Sequence, residues 1–114
     1  AKPKISVSTP TILRQINYEK LQHLDVDSLV DCIQNGRWQE SFAYMGNVLE
    51  PVTMNEYPEI RQLKQRMEKL GADVVQMSGT GPTVFALCHN ESRARRLHNS
   101  LCGFCREVYL AMLL

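Results

Sequence analysis

A chain of 114 residues, 44% of them hydrophobic and 22% charged, has the composition of one globular domain and is long enough to bury a core without disulfide or metal staples. Thirteen basic against twelve acidic residues leave a formal charge of +1, so no strong field gathers polyanions, and neither nucleic acid nor membrane is an expected partner. No apolar run approaches the roughly 18 residues of a membrane span, and Ala1-Lys2-Pro3-Lys4 has neither a signal-peptide core nor an initiator Met, which reads as a cytoplasmic protein cut from something longer.

Lys4-Ile5-Ser6-Val7-Ser8 alternates with period two, as a strand exposed on one side does, and Thr9-Pro10 supplies an N-cap and a proline for a short helix. Val26, Leu29, Val30 and Ile33 then mark one face of a helix that starts at Asp25 and stops at Asn35-Gly36. Trp38, Phe42 and Met45 repeat the spacing, predicting a second helix over 37–46. A polar connection is expected after Pro51. It leads to Tyr57-Pro58-Glu59, the start of the longest helix, with its stripe at Ile60, Leu63, Met67 and Leu70.

Beyond Gly71 the period changes. Val74-Val75-Gln76-Met77 and Thr83-Val84-Phe85-Ala86-Leu87 read as a hairpin around a five-residue loop, Ser78-Gly79-Thr80-Gly81-Pro82. Asn90 can cap a helix with Ala94, Leu97 and Leu101 on its inner face, Gly103 ends it, and 104–113 alternate as a last strand. The order strand, helices, strand, strand, helix, strand predicts an α+β ferredoxin-like sandwich. It would be a four-stranded antiparallel sheet with helices on one face and extra helices in the first crossover.

Two glycines in a tight loop let main-chain N–H groups approach an anion without Cβ obstruction, although an ordinary hairpin also uses Gly and Pro in this way. The loop is neither a Walker sequence nor a dinucleotide fingerprint. Cys102-Gly103-Phe104-Cys105, with His98 one turn earlier, has the spacing of half a zinc site, but no second pair completes it. The four cysteines are expected to be reduced and metal-free. Arg93, Arg95 and Arg96 read as a solvated face, Asn47 and Glu50 as a cap and a solvated charge, and His23 has no nucleophile at a suggestive spacing.

In this order the pieces resemble the C-terminal domain of the GHMP kinases, the family of galactose, homoserine, mevalonate and phosphomevalonate kinases. Met77 to Leu87 is similar to that family's third motif, a glycine loop between two strands. Lys2-Pro3 with Val7-Ser8-Thr9, Gly46-Asn47-Val48-Leu49-Glu50, Tyr57-Pro58-Glu59-Ile60, Gly103-Phe104-Cys105 and Val108-Tyr109 are similar to the branch of the family that acts on a cytidine-diphosphate-linked methylerythritol. Val48 stands where many relatives have Asp. The family's phosphate loop and its catalytic Asp and Lys, which belong to an N-terminal domain, have no counterpart in these 114 residues.

The resemblance implies transfer of the ATP γ-phosphoryl, with Mg²⁺, to a tertiary hydroxyl of a small-molecule substrate of the non-mevalonate isoprenoid route. This chain's partner would be its own N-terminal kinase domain. Ser78, Gly79, Thr80 and Gly81 would line the phosphate side of the cleft and Thr9 would bind substrate; no catalytic or metal-binding residue is assigned. The piece alone is expected to bind no cofactor and to transfer no phosphate, and in the whole enzyme Gly81→Val is expected to damage catalysis more than stability. A free-standing ferredoxin-like binding or regulatory module, and the same domain of a mevalonate or homoserine kinase, are the alternatives.

Overall fold

The structure, a computed structural model, describes residues 1–16, 24–103 and 105–112. The Ser8 side chain caps α1 (Thr9–Arg14), so the cap lies one residue earlier than Thr9, with Pro10 in the first turn. Asp25 caps α2 (Val26–Gln34) by accepting from the Ser28 N–H at 3.0 Å, and Gly36, at φ +71°, turns the chain into α3 (Trp38–Ser41). The helix predicted over 37–46 tightens to a 3₁₀ turn at Phe42–Tyr44 and ends there. The expected polar connection is instead a helix, α4 (Glu50–Glu56), where Pro51 presets the first turn and Glu50 complements the helix dipole. The longest helix, α5 (Pro58–Lys69), follows directly, then β1 (Val74–Met77), β2 (Val84–Leu87) and α6 (Glu91–Leu101), the last capped by the Asn90 side chain.

β1 and β2 pair antiparallel with Val74 opposite Leu87 and Met77 opposite Val84. β2 begins at Val84, so the loop runs from Ser78 to Thr83, one residue longer than predicted, closed by the Ser78 N–H donating to the Thr83 carbonyl at 2.8 Å. Four regular strands are not present among the described residues. The predicted first strand, Lys4 to Ser8, does not form; the pairing lies just before it, at Ala1 and Lys2. Ala1 exchanges hydrogen bonds with Val84, and Lys2 forms an antiparallel bridge with Glu107. Pro3 has no N–H to carry the ladder on, although Ile5 and Val7 still face the core and Lys4, Ser6 and Ser8 face solvent. The predicted last strand likewise contributes only the stretch at Arg106–Glu107, and Tyr109 and Met112 are exposed.

The core lies between the sheet and two helices: Val75, Met77 and Val84 meet Ile60, Leu63 and Met67 of α5 and Leu97 and Leu101 of α6, with Cys105 closing one end. The α2 stripe does not join it. Val26, Val30 and Ile33 are exposed and only Cys32 of that helix is buried. His23 lies outside the described residues.

At the end of the hairpin away from the loop, Asp73 Oδ2 accepts from the His89 N–H at 2.8 Å and lies 2.7 Å from His89 Nδ1, with Arg93 3.8 Å from Oδ1. The His89 side chain first, then its main-chain N–H and the neighbouring positive charges, hold the Asp73 carboxyl below the usual carboxylate range. A depressed folded-state value stabilises the fold above the unfolded-state pKa, and that stabilisation is lost as pH falls through the folded one. Asp73→Asn should therefore flatten the fall in Tm with acid below about pH 4, as read by thermal melting across that range.

Candidate functional site

The glycine loop sits on a base built from residues about thirty positions earlier. Asn47 Nδ2 donates to the carbonyls of Met77, at 2.7 Å, and Gly79, at 2.8 Å, while its Oδ1 accepts from the Leu49 N–H. Glu50 Oε2 accepts the Met77 N–H at 2.9 Å, and its other oxygen pairs with Lys64 Nζ. Gln76 Nε2 donates to the Gly46 carbonyl at 2.9 Å. The Glu50 side chain is only 12% exposed, so neither residue is the cap and solvated charge that the sequence suggests.

Thr53, fully buried in the first turns of α4, donates Oγ1–H to the Thr80 carbonyl at 3.1 Å. The Thr80 hydroxyl in turn shares a 3.1 Å hydrogen bond with that of Thr9, and the Tyr57 hydroxyl accepts the Ser8 N–H at 3.2 Å, fastening the start of α1 beside the loop. Two of the sequence-predicted residues, Thr9 and Thr80, are thus brought together across 71 residues of chain. Thr53→Val keeps the shape but strands the Thr80 carbonyl, and should lower stability by about 1–2 kcal/mol in denaturant unfolding.

The two glycines of the loop differ. Gly79, at φ +56°, has nothing within 4 Å of where a Cβ would stand. Gly81, at φ +84°, faces inward, and a Cβ there would lie 3.0 Å from Met77 Sδ and 3.2 Å from Ile60 Cδ1. The expectation that Gly81 opens toward a ligand is therefore corrected: its missing side chain makes room for the core. Gly81 N–H is satisfied by the Ser78 carbonyl at 2.9 Å, whereas the Gly79 and Thr80 N–H groups have no acceptor among the described residues. The Gly79 carbonyl is held from below by Asn47 and the Ser78 carbonyl is taken by the Gly81 N–H, so the Thr80 and Gly79 N–H groups, on the opposite edges of those two peptide planes, point the other way. Two uncommitted N–H groups beside an open glycine suit an anion.

A cavity of about 390 Å³ lies behind this base, lined by Phe42, Met45, Asn47, Glu50, Lys64 and Gln76 among others, and no residue from Ser78 to Gly81 borders it. Cys102 Sγ is 3.7 Å from His98 Nε2 at the surface, while Cys105 is buried and its thiol is pushed up by that burial. No group of three His, Cys, Asp or Glu among the described residues could hold a metal ion. Arg95 pairs with Glu91 and Arg93 leans on Asp73, both at the surface. Sequence reasoning missed Asn47, Glu50 and Thr53, whose contacts with the loop fall on main-chain atoms and leave no side-chain pattern; the signal present was the run Gly46-Asn47-Val48-Leu49-Glu50 itself.

Residues 29–107 match the family model described as GHMP kinases C terminal. The whole chain is 69% identical to a protein of Limosilactobacillus fermentum and 66% identical to one of Limosilactobacillus reuteri, each named 4-diphosphocytidyl-2-C-methyl-D-erythritol kinase; it spans 40% of the length of either. The fold superposes, with a TM-score of 0.74 and 28% identity, on a crystal structure titled 4-(cytidine 5'-diphospho)-2C-methyl-D-erythritol kinase, over 92% of this chain and 38% of that one. No described helix is long and apolar enough to cross a membrane. The family model covers well over half of the chain, and the chain belongs to the GHMP kinases as their C-terminal domain.

Proposed function

We propose that this chain is the substrate-positioning part of a cytoplasmic, ATP- and Mg²⁺-dependent kinase that phosphorylates 4-diphosphocytidyl-2-C-methyl-D-erythritol, an isoprenoid-precursor intermediate. The reading is carried by identity along the entire chain to proteins named for that reaction. The loop geometry fits it. Gly79 and Thr80 offer main-chain donors to a phosphate oxygen, the open space at Gly79 admits the group closely, and Ser78 and Thr9 stand at the rim for substrate hydroxyls. Gly81 contributes by letting the loop turn over the core.

Mg²⁺-bound ATP would supply the phosphoryl group and neutralise its charge; metal ligands and the base that takes the hydroxyl proton are assigned to the N-terminal kinase domain. The chain's backbone neighbours run in the order 106–107, 1–2, β2, β1, which is the strand order of a ferredoxin-like sheet. In the full-length protein these contacts would extend into four strands.

The test is transfer of label from γ-labelled ATP, with Mg²⁺, by the full-length protein to the cytidine-diphosphate alcohol, mevalonate and homoserine in parallel. Only the first should be phosphorylated. Transfer to mevalonate or homoserine instead would reassign the substrate, and transfer to none would favour a binding module. Residues 1–114 alone should give no product.

A further inference from the structure

We propose that Asn47 and Glu50 are positioning residues, which set the conformation of the glycine loop by taking every main-chain group of its entry that β2 leaves free. In an antiparallel edge strand, alternate residues turn both N–H and C=O away from the partner. Met77 is such a residue: its N–H goes to Glu50 Oε2 and its carbonyl to Asn47 Nδ2. The second proton of the same amide goes to the Gly79 carbonyl, so one planar group spans carbonyls two residues apart and fixes Ser78 between them.

Nothing in the fork is spare, because Asn47 Oδ1 is occupied by the Leu49 N–H, and the Lys64 ammonium balances the half-dry Glu50 carboxylate. With the Met77 and Gly79 carbonyls tied to Asn47, the Thr80 carbonyl to Thr53 and the Ser78 carbonyl to the Gly81 N–H, the Gly79 and Thr80 donors, which share peptide planes with the Ser78 and Gly79 carbonyls, keep their place before any ligand arrives. Granted the kinase reading, that preorganisation acts on the reacting geometry and not on affinity alone.

Asn47→Asp is nearly isosteric, loses both donors and sets a carboxylate against two carbonyls. In the full-length protein, kcat should fall about 10²-fold while KM for either substrate stays within about threefold. Glu50→Gln, which keeps an acceptor for Met77 N–H, should retain most of the wild-type kcat, and Glu50→Leu should not. Leu97→Ala, in the core on α6, serves as a destabilised variant whose altered residue is not a partner of the loop and should keep its kcat below its melting point.

Hydrogen exchange gives a second readout independent of turnover: the Ser78 and Gly81 amides, bonded within the loop, should exchange at least about tenfold faster in Asn47→Asp while the α6 amides do not change. Should Asn47→Asp fail to fold, Asn47→Ser, able to reach one carbonyl but not both, takes its place with the same expected direction. A kcat loss no larger than that of Leu97→Ala, equal activity of Glu50→Gln and Glu50→Leu, or unchanged loop exchange would overturn the proposal. A wild-type protein that phosphorylates no alcohol would sink the kinase reading, and exchange alone would then decide the role of the two residues.

Discussion

Gly81→Val should be the most destabilising single change in the loop, lowering stability by about 2–5 kcal/mol. Two effects add. A branched residue held at φ +84° loses roughly 1–2 kcal/mol relative to glycine, and a side chain built 3.0 Å from Met77 Sδ, 3.2 Å from Ile60 Cδ1 and 3.4 Å from Thr53 Cγ2 overpacks a filled core, by about 1–3 kcal/mol. Met77 and Ile60 are both fully buried and have no room to retreat, so this loss is a large share of the roughly 5–15 kcal/mol that keeps a domain folded. The outward-facing position expected from sequence gave the opposite ranking, with catalysis suffering first. Thermal melting of wild type, Gly81→Ala and Gly81→Val settles it: graded losses of Tm support the inward geometry, and a Gly81→Val protein that melts with wild type contradicts it.

The change that should damage turnover most at little loss of fold is Gly79→Val in the full-length protein. A Cβ at Gly79 meets nothing within 4 Å, so the fold loses only the roughly 1–2 kcal/mol of holding a branched residue at positive φ. The same side chain fills the space through which a phosphate or substrate would reach the Gly79 and Thr80 N–H groups. A displacement of about 1 Å from the attacking geometry lowers the rate by around 10²-fold, and that is the expected fall in kcat/KM. A folded Gly79→Val protein with wild-type kcat/KM would show that nothing binds over this turn.

The hairpin, α5 and α6 were legible because their information is local and redundant: period-two runs around glycines, and apolar stripes between a proline or asparagine start and a glycine stop. The flanking strands were legible as faces but not as pairing. Ile5 and Val7 point inward as their alternation demands, yet alternation says nothing about a ladder that Pro3 interrupts. At α4, polar Thr53 and Asn55 hid a helix whose buried side is partly polar, since Thr53 is spent on a carbonyl. The α2 stripe shows the converse, a regular apolar face of which Val26, Val30 and Ile33 stay exposed and only Leu29 is half-buried. For the site, Thr9 and the glycine loop could be named from sequence, but inward Gly81 and outward Gly79 carry the same letter and differ only in what the fold puts beneath them.

The Asn47 and Glu50 contacts fall on main-chain atoms, and that makes the loop's shape independent of the loop's own side chains. Ser78 and Thr83 are exposed, so the residues there are free to be exchanged without disturbing the turn, and the tolerance of the fold, as distinct from activity, should be distributed unevenly: wide at 78 and 83, narrow at 47, 50, 53 and 81. A scaffold of this kind lets the chemistry presented at the rim be rewritten one residue at a time, while the groups that hold the rim in place sit some thirty positions away in the chain and stay fixed.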